Sequence, residues 1–144
     1  MLWQTGKYYY DDIEKQLRDK HCPDVHAMAF IKRMDLAYKA ADVVVSRSGA
    51  LSVSELCIAG MPVIFVPSPN VAEDHQTKNA QALVNQQAAM MLRDDEAEEK
   101  LFALVLELCK DVKKQILLKN NIKNLAISNS SDIIAQEIIK LVKK

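Results

Sequence analysis

The run Asp42–Gly60, DVVVSRSGALSVSELCIAG, constrains the fold more than any other stretch of the chain. Val43, Val44 and Val45 are β-branched with no polar alternation, the pattern of a parallel strand covered on both faces. A strand is therefore expected over Asp42–Ser46, a small-residue turn over Arg47–Ala50, and a helix opening near Leu51. Gly60 stands where a C-cap glycine belongs. Ser48, Gly49 and Ala50 permit a tight turn and leave room for something to approach it. A helix that starts just beyond a strand points unpaired N–H groups and the positive end of its dipole outward. That end favours an anion such as a phosphate.

The remaining sequence alternates in the same way. Strands are expected at Leu2–Thr5, Val25–Ile31, Pro62–Pro67 and Ala88–Leu92, and helices at Asp11–Lys20 (capped by Asp11 or Asp12), Met34–Ala41 and His75–Gln87. After Arg93 the pattern becomes helical and rich in lysine, with helices at Asp94–Cys109, Val112–Asn124 and Ser131–Val142. The expectation is one α/β domain over 1–144, a sheet region over 1–92 followed by a helical tail over 93–144. Strands alternating with helices imply right-handed crossovers and a parallel sheet. Ligands of such sheets bind outside the carboxyl ends of the strands. The loops Ile31–Arg33, Arg47–Ala50 and Ser68–Asp74 are expected to meet at that edge.

Composition removes several function classes. The 19 basic and 19 acidic side chains balance, so no global field draws the chain to nucleic acid or a membrane surface. Cys22, Cys57 and Cys109 are widely spaced and include no CxxC pair, which suits a reducing compartment and no metal site. No apolar run reaches the roughly 18–20 residues of a membrane span, and MLWQTGKYYY lacks the plan of a signal peptide. A cytoplasmic protein without cofactor is expected. GxGxxG, GxxxxGK[ST] and GxSxG are all absent, which argues against the common dinucleotide, P-loop and serine-hydrolase sites.

Several side chains near the expected ligand edge carry two readings. Glu55 could accept hydrogen bonds from a vicinal diol, or complete a capping box with Ser52. Ser48 and Ser52 could donate to a phosphate or satisfy the helix start, and Arg47 could neutralise a diphosphate or be ion-paired. Asp74 is a natural N-cap, which turns His75 and Gln76 toward the ligand edge, where an amide can sort hydroxyls. Tyr8, Tyr9 and Tyr10 could stack on a ligand, but a half-buried entry to the first helix is the simpler account.

Ser46–Ala80, SRSGALSVSELCIAGMPVIFVPSPNVAEDHQTKNA, closely resembles the C-terminal half of the MurG family of GT-B-type glycosyltransferases. The likeness extends back through FIKRMDLAYKAADVVV and more loosely over the whole chain. It implies a Rossmann-like three-layer parallel sheet, the C-terminal domain of a GT-B enzyme lacking its first strand, with a helical tail. It also implies a role in peptidoglycan synthesis: an inverting transfer of N-acetylglucosamine from UDP-N-acetylglucosamine to a lipid-linked muramyl-pentapeptide, at the cytoplasmic face of the membrane. By this resemblance Glu55 binds the ribose hydroxyls, which displaces the capping reading. Ser48, Gly49, Ala50, Leu51 and Ser52 form the diphosphate turn, the backbone of Ile31 pairs with the uracil edge, and Gln76 with His75 reads the sugar. The family commonly has two glutamines where this chain has His75-Gln76. The family's GGSxGA loop and its acceptor-binding N-terminal half are not in the chain. The fragment alone is therefore expected to be inactive and open to self-association. The alternatives are a donor-half subunit of a two-chain N-acetylglucosaminyltransferase and a non-catalytic nucleotide-binding module.

Overall fold

The computed structural model describes residues 1–69 and 74–142. Within them five strands alternate with helices in the expected order. These are β1 (Leu2–Gln4), α1 (Tyr10–Asp19), β2 (His26–Met28), α2 (Met34–Ala40), β3 (Val44–Ser46), α3 (Ala50–Ala59), β4 (Val63–Phe65), α4 (His75–Asn85) and β5 (Met90–Met91). Helices α5 (Asp94–Lys110), α6 (Val112–Lys123) and α7 (Ser130–Val142) follow. The strands form a two-stranded sheet, β1-β2, and a three-stranded sheet, β3-β4-β5, and every pairing is parallel. The chain divides into two compact units, Met1–Ala41 and Asp42–Lys144.

In the first unit β1 lies beside β2 with Leu2 opposite His26 and Gln4 opposite Met28. The strand expected at Leu2–Thr5 forms, but all three residues of β1 are exposed. A two-stranded sheet accompanied by two short helices has too little apolar cover to bury its strands. Helix α1 turns Ile13 and Leu17 to its half-buried side. Tyr9 occupies its N-cap position without a side-chain cap bond. Asp11 and Asp12 lie inside the first turn, where carboxylates complement the helix dipole rather than cap it. Tyr8 and Tyr9 stand exposed in an edge-to-face pair with ring centroids 4.8 Å apart.

The second unit is built on β4. Val63, Ile64 and Phe65 are fully buried, as an uninterrupted apolar run in a parallel sheet should be. Successive residues of a strand face opposite sides, so this strand is covered on both. On one side Ile64 and Val66 pack with Leu92, Leu108 of α5 and Leu118 of α6. The helices expected as a tail thus supply part of the sheet's own cover. Helices α3 and α4 pack against one another and contribute the buried Leu56, Cys57, Ala80 and Leu83. Burial raises the Cys57 thiol pKa, as suits a packing residue rather than a nucleophile. Helix α7 has no buried residue, and no helix of the described residues is long and apolar enough to cross a membrane.

β3 corrects a second expectation. It is an edge strand, and Val45 is 43% exposed, so the Val43–Val45 run is not covered on both faces here. The apolar run states what the strand is suited to, while its cover depends on neighbours that local sequence does not show.

Gly60 ends α3 in the left-handed region at φ +65°, and its N–H donates to the Leu56 carbonyl at 2.9 Å. A Cβ at this position would also meet the Lys123 stem, 2.2 Å from Cε. The flexible lysine can move, whereas the backbone cannot, so conformation sets the cost. Gly60→Ala is expected to destabilise the protein by about 1–2 kcal/mol. Urea unfolding will test this, and a midpoint equal to that of the parent protein would refute the αL account.

Candidate functional site

The turn between β3 and α3 is fixed by its neighbours more than by its own conformation. Gly49 is the N-cap of α3 in an extended conformation, φ −62° and ψ 149°, so no left-handed geometry requires glycine here. Nor do neighbouring atoms require it: a Cβ added to Gly49 would meet nothing nearer than Ser52 Oγ at 4.0 Å, so the space over this residue is open. The first helical bond runs from the Val53 N–H to the Gly49 carbonyl at 2.9 Å, which leaves the N–H groups of Ala50, Leu51 and Ser52 before it. Gly49 has no side chain to cap them, and the first turn contains no acidic residue. Because Ala50 is already helical, Ser52 sits inside the helix and is not the N-cap of a Ser52–Glu55 capping box. Leu51 is 83% exposed, and Glu55, one turn along from it, is exposed as well.

Ser48 is fully buried, the one buried polar residue among those described. Each of its polar groups has a partner on α4. Its N–H donates to Gln76 Oε1 at 3.3 Å, its hydroxyl donates to the Gln76 carbonyl at 2.8 Å, and its carbonyl accepts from Asn79 Nδ2 at 3.0 Å. Gln76 Oε1 also accepts from the Ser68 N–H at 2.9 Å. One amide oxygen thus ties the exit of β3 to the exit of β4. In this arrangement the Ser48 hydroxyl and the Gln76 amide oxygen are committed within the protein. His75 is exposed at the start of α4. Asp74 does take the N-cap position of α4 but in a left-handed conformation without a side-chain cap bond, contrary to the capping expected of it. The remainder of the expected Ser68–Asp74 loop, 70–73, lies outside the described residues.

Ile31 belongs to the first unit. It is half-buried and lines a cleft of about 540 Å³ with Leu2, Met28, Phe30, Leu36 and Ala37. Its N–H donates to Gln4 Oε1 at 2.8 Å. Any edge-on partner of the Ile31 backbone would have to share or displace that amide. No cluster of His, Cys, Asp and Glu among the described residues is arranged to hold a metal ion.

Asn79 and Gln4 make contacts that sequence reasoning did not identify, and Arg47, read as a diphosphate partner or an ion pair, pairs with Asp94. Asn79 follows Gln76 by three residues, so both lie on one face of α4, a spacing visible in the sequence. The partners of Arg47 and Gln4, far away in the chain, left no such signal.

The sequence profile of the glycosyltransferase family 28 C-terminal domain matches residues 1–137. The chain belongs to this family, whose parallel α/β architecture is the one described above. Among its curated relatives is the UDP-N-acetylglucosamine–N-acetylmuramyl-(pentapeptide) pyrophosphoryl-undecaprenol N-acetylglucosamine transferase of Parabacteroides distasonis. It is 51% identical over 144 residues, all of this chain and 39% of the relative. The same-named transferase of Flavobacterium psychrophilum is 52% identical over 143 residues, 99% of this chain and 38% of the relative. The crystal structure of Acinetobacter baumannii MurG superimposes with a TM-score of 0.80 at 27% identity, over 96% of this chain and 40% of that one. A glycotransferase of kitacinnamycin shares the fold, with a TM-score of 0.61 at 19% identity over 94% of this chain and 34% of that one. The chain therefore spans about two-fifths of the length of these curated relatives.

The Ser48 contacts yield a stability prediction. Ser48→Ala removes a buried donor from the Gln76 carbonyl and should cost roughly 1–3 kcal/mol in chemical denaturation. A loss below a few tenths of a kcal/mol would mean that the hydroxyl is not a structural tie.

Proposed function

We propose that this chain is the donor-binding part of an inverting N-acetylglucosaminyltransferase that uses UDP-N-acetylglucosamine and a lipid-linked muramyl-pentapeptide acceptor in peptidoglycan synthesis. The observation that carries the reading is identity near 50% over essentially the whole chain to transferases of that name. The start of α3 supports it chemically: an uncapped first turn, no acid within it, and open space over Gly49 suit a diphosphate.

In this reading the backbone of Gly49, Ala50, Leu51 and Ser52 meets the diphosphate, and Ser48 beneath it holds the turn in place. Exposed Glu55 accepts hydrogen bonds from the ribose hydroxyls. The amide nitrogen of Gln76 and the ring of His75 face the sugar, while the Gln76 oxygen remains with the two backbone N–H groups it already serves. As the acceptor hydroxyl attacks the anomeric carbon, the bond to the diphosphate breaks and negative charge grows on the departing UDP. Fixed N–H groups and the dipole of α3 lie ready to stabilise it, with no reorganisation at the moment of reaction.

The acceptor, the base and the membrane contact belong to sequence outside this chain in the proposed enzyme. The 144 residues alone are accordingly expected to transfer no sugar. Cytoplasmic placement is part of the same proposal.

Titration of the complete polypeptide that carries this chain with UDP, UDP-N-acetylglucosamine and ADP tests the reading by calorimetry. A preference for the uridine nucleotides is expected, and equal or no binding of all three would overturn it. Glu55→Ala should weaken UDP-N-acetylglucosamine by roughly 1–3 kcal/mol, the loss of a charged hydrogen-bond acceptor. An unchanged dissociation constant would remove Glu55 from the site.

A further inference from the structure

We propose that Arg47 is a positioning residue that clasps the exits of β3 and β4 to the start of α5, and does not itself meet a ligand phosphate. The inference rests on the reading of the β3–α3 turn as a diphosphate site. An arginine beside such a turn is readily taken for a phosphate ligand, but its contacts point elsewhere. One terminal nitrogen donates to the Val66 carbonyl at 3.1 Å and the Pro67 carbonyl at 3.2 Å, and it also pairs with the Asp94 carboxylate. Asp94 is the first residue of α5.

Val66 and Pro67 are buried and immediately precede Ser68, whose N–H is held by Gln76. Ser48, the residue after Arg47, is held by the same Gln76 amide. Arg47 and Gln76 therefore grip adjacent points of the same two strand exits, one from the α5 side and one from the α4 side. The turn that opens α3 begins at Gly49, directly after Arg47 and Ser48. All three contacts are made by one terminal nitrogen, whose two hydrogens are shared among the oxygens; lysine is one atom shorter and its ammonium is a mobile point charge, so it does not reproduce them. Asp94 also balances the arginine's charge, so an incoming anion would have to compete with a carboxylate already in place.

The two roles of Arg47 predict opposite results for its partner. In a clasp, Asp94→Asn and Arg47→Lys each loosen the turn, and each should weaken UDP binding at least fivefold. Combined, they should do little more than either alone, because they break one interaction. In a phosphate ligand, Asp94→Asn would release the arginine and tighten UDP binding. Asp95→Asn is the control: Asp95 lies in the same first turn but pairs with Arg93, so its loss should leave UDP affinity unchanged.

The experiment uses the complete polypeptide, with UDP titration and residue-resolved amide exchange. Exchange at Ser48 and Ser68 should accelerate in Arg47→Lys while Ile64 in β4 keeps its protection, whether or not nucleotide is present. A parent protein that fails to bind UDP defeats the proposed function, and the exchange result still decides the clasp. Tighter UDP binding in Asp94→Asn would overturn the proposal. Parent-like exchange at Ser48 and Ser68 in Arg47→Lys would overturn it too, as would loss of protection throughout the sheet, which would make Arg47 a general stabiliser.

Discussion

A buried serine with no unsatisfied polar group fixes the geometry of the strand exits in the second unit. Taking a hydroxyl and a peptide unit out of water costs several kcal/mol unless each finds a partner. Ser48 meets that condition only because α4 presents the Gln76 carbonyl, the Gln76 amide oxygen and the Asn79 amide at the required places. The dependence runs both ways. If α4 shifted, Ser48 would be left buried and unpaired, and if the turn shifted, the Gln76 oxygen would lose one of its two N–H groups. Such all-or-nothing satisfaction makes the turn discrete rather than deformable.

The apolar interior beneath it supplies rigidity of a different kind. Val63, Ile64 and Phe65 sit in a strand wholly excluded from water, and α5 and α6 close one face through Leu108 and Leu118. Each fully buried side chain of this kind contributes about 1.5–3 kcal/mol, without regard to direction. The directional polar contacts begin where β4 ends, at Val66–Ser68. Arg47 and Gln76 therefore impose position on a strand exit whose energy comes from the layer below.

Much of this architecture was legible in local patterns. The order of strands and helices followed from hydrophobic periodicity, Gly60 from the need for a left-handed C-cap, and the family from SRSGALSVSE. The same patterns were silent about cover. Val43–Val45 and Leu2–Trp3 are apolar, yet β1 and β3 lie at sheet edges with Leu2, Trp3 and Val45 exposed, because burial is a property of neighbours distant in the chain. Capping was misjudged for a similar reason. Asp11 and Asp74 are both good cap residues by type, but a two-residue shift in the helix start, or a left-handed backbone, separates type from role. The task of Gln76 was hidden most thoroughly, since its partner Ser48 lies 28 residues away.

Charge at the helix starts gives the donor reading its strongest internal contrast. Helix α5 opens with Asp94, Asp95 and Glu96, α1 carries Asp11 and Asp12, α2 carries Asp35, and α6 is capped by the Asp111 carboxylate. Each of those positive ends is answered by the protein's own carboxylates. Helix α3 has no acid in its first turn and only Gly49 as its cap; α4 also lacks an acid in its first turn, but its N-cap residue is Asp74. A helix terminus contributes about 0.3–1 kcal/mol toward a nearby charge when exposed and up to about 2 kcal/mol when partly buried. That is far short of micromolar binding, which requires about 8 kcal/mol. The vacant start of α3 can therefore orient a diphosphate and favour its departure, but it cannot hold a nucleotide sugar by itself. Affinity must come from groups that grip the rest of the molecule, and in the proposed site Glu55 on the second turn of the same helix is the first of these.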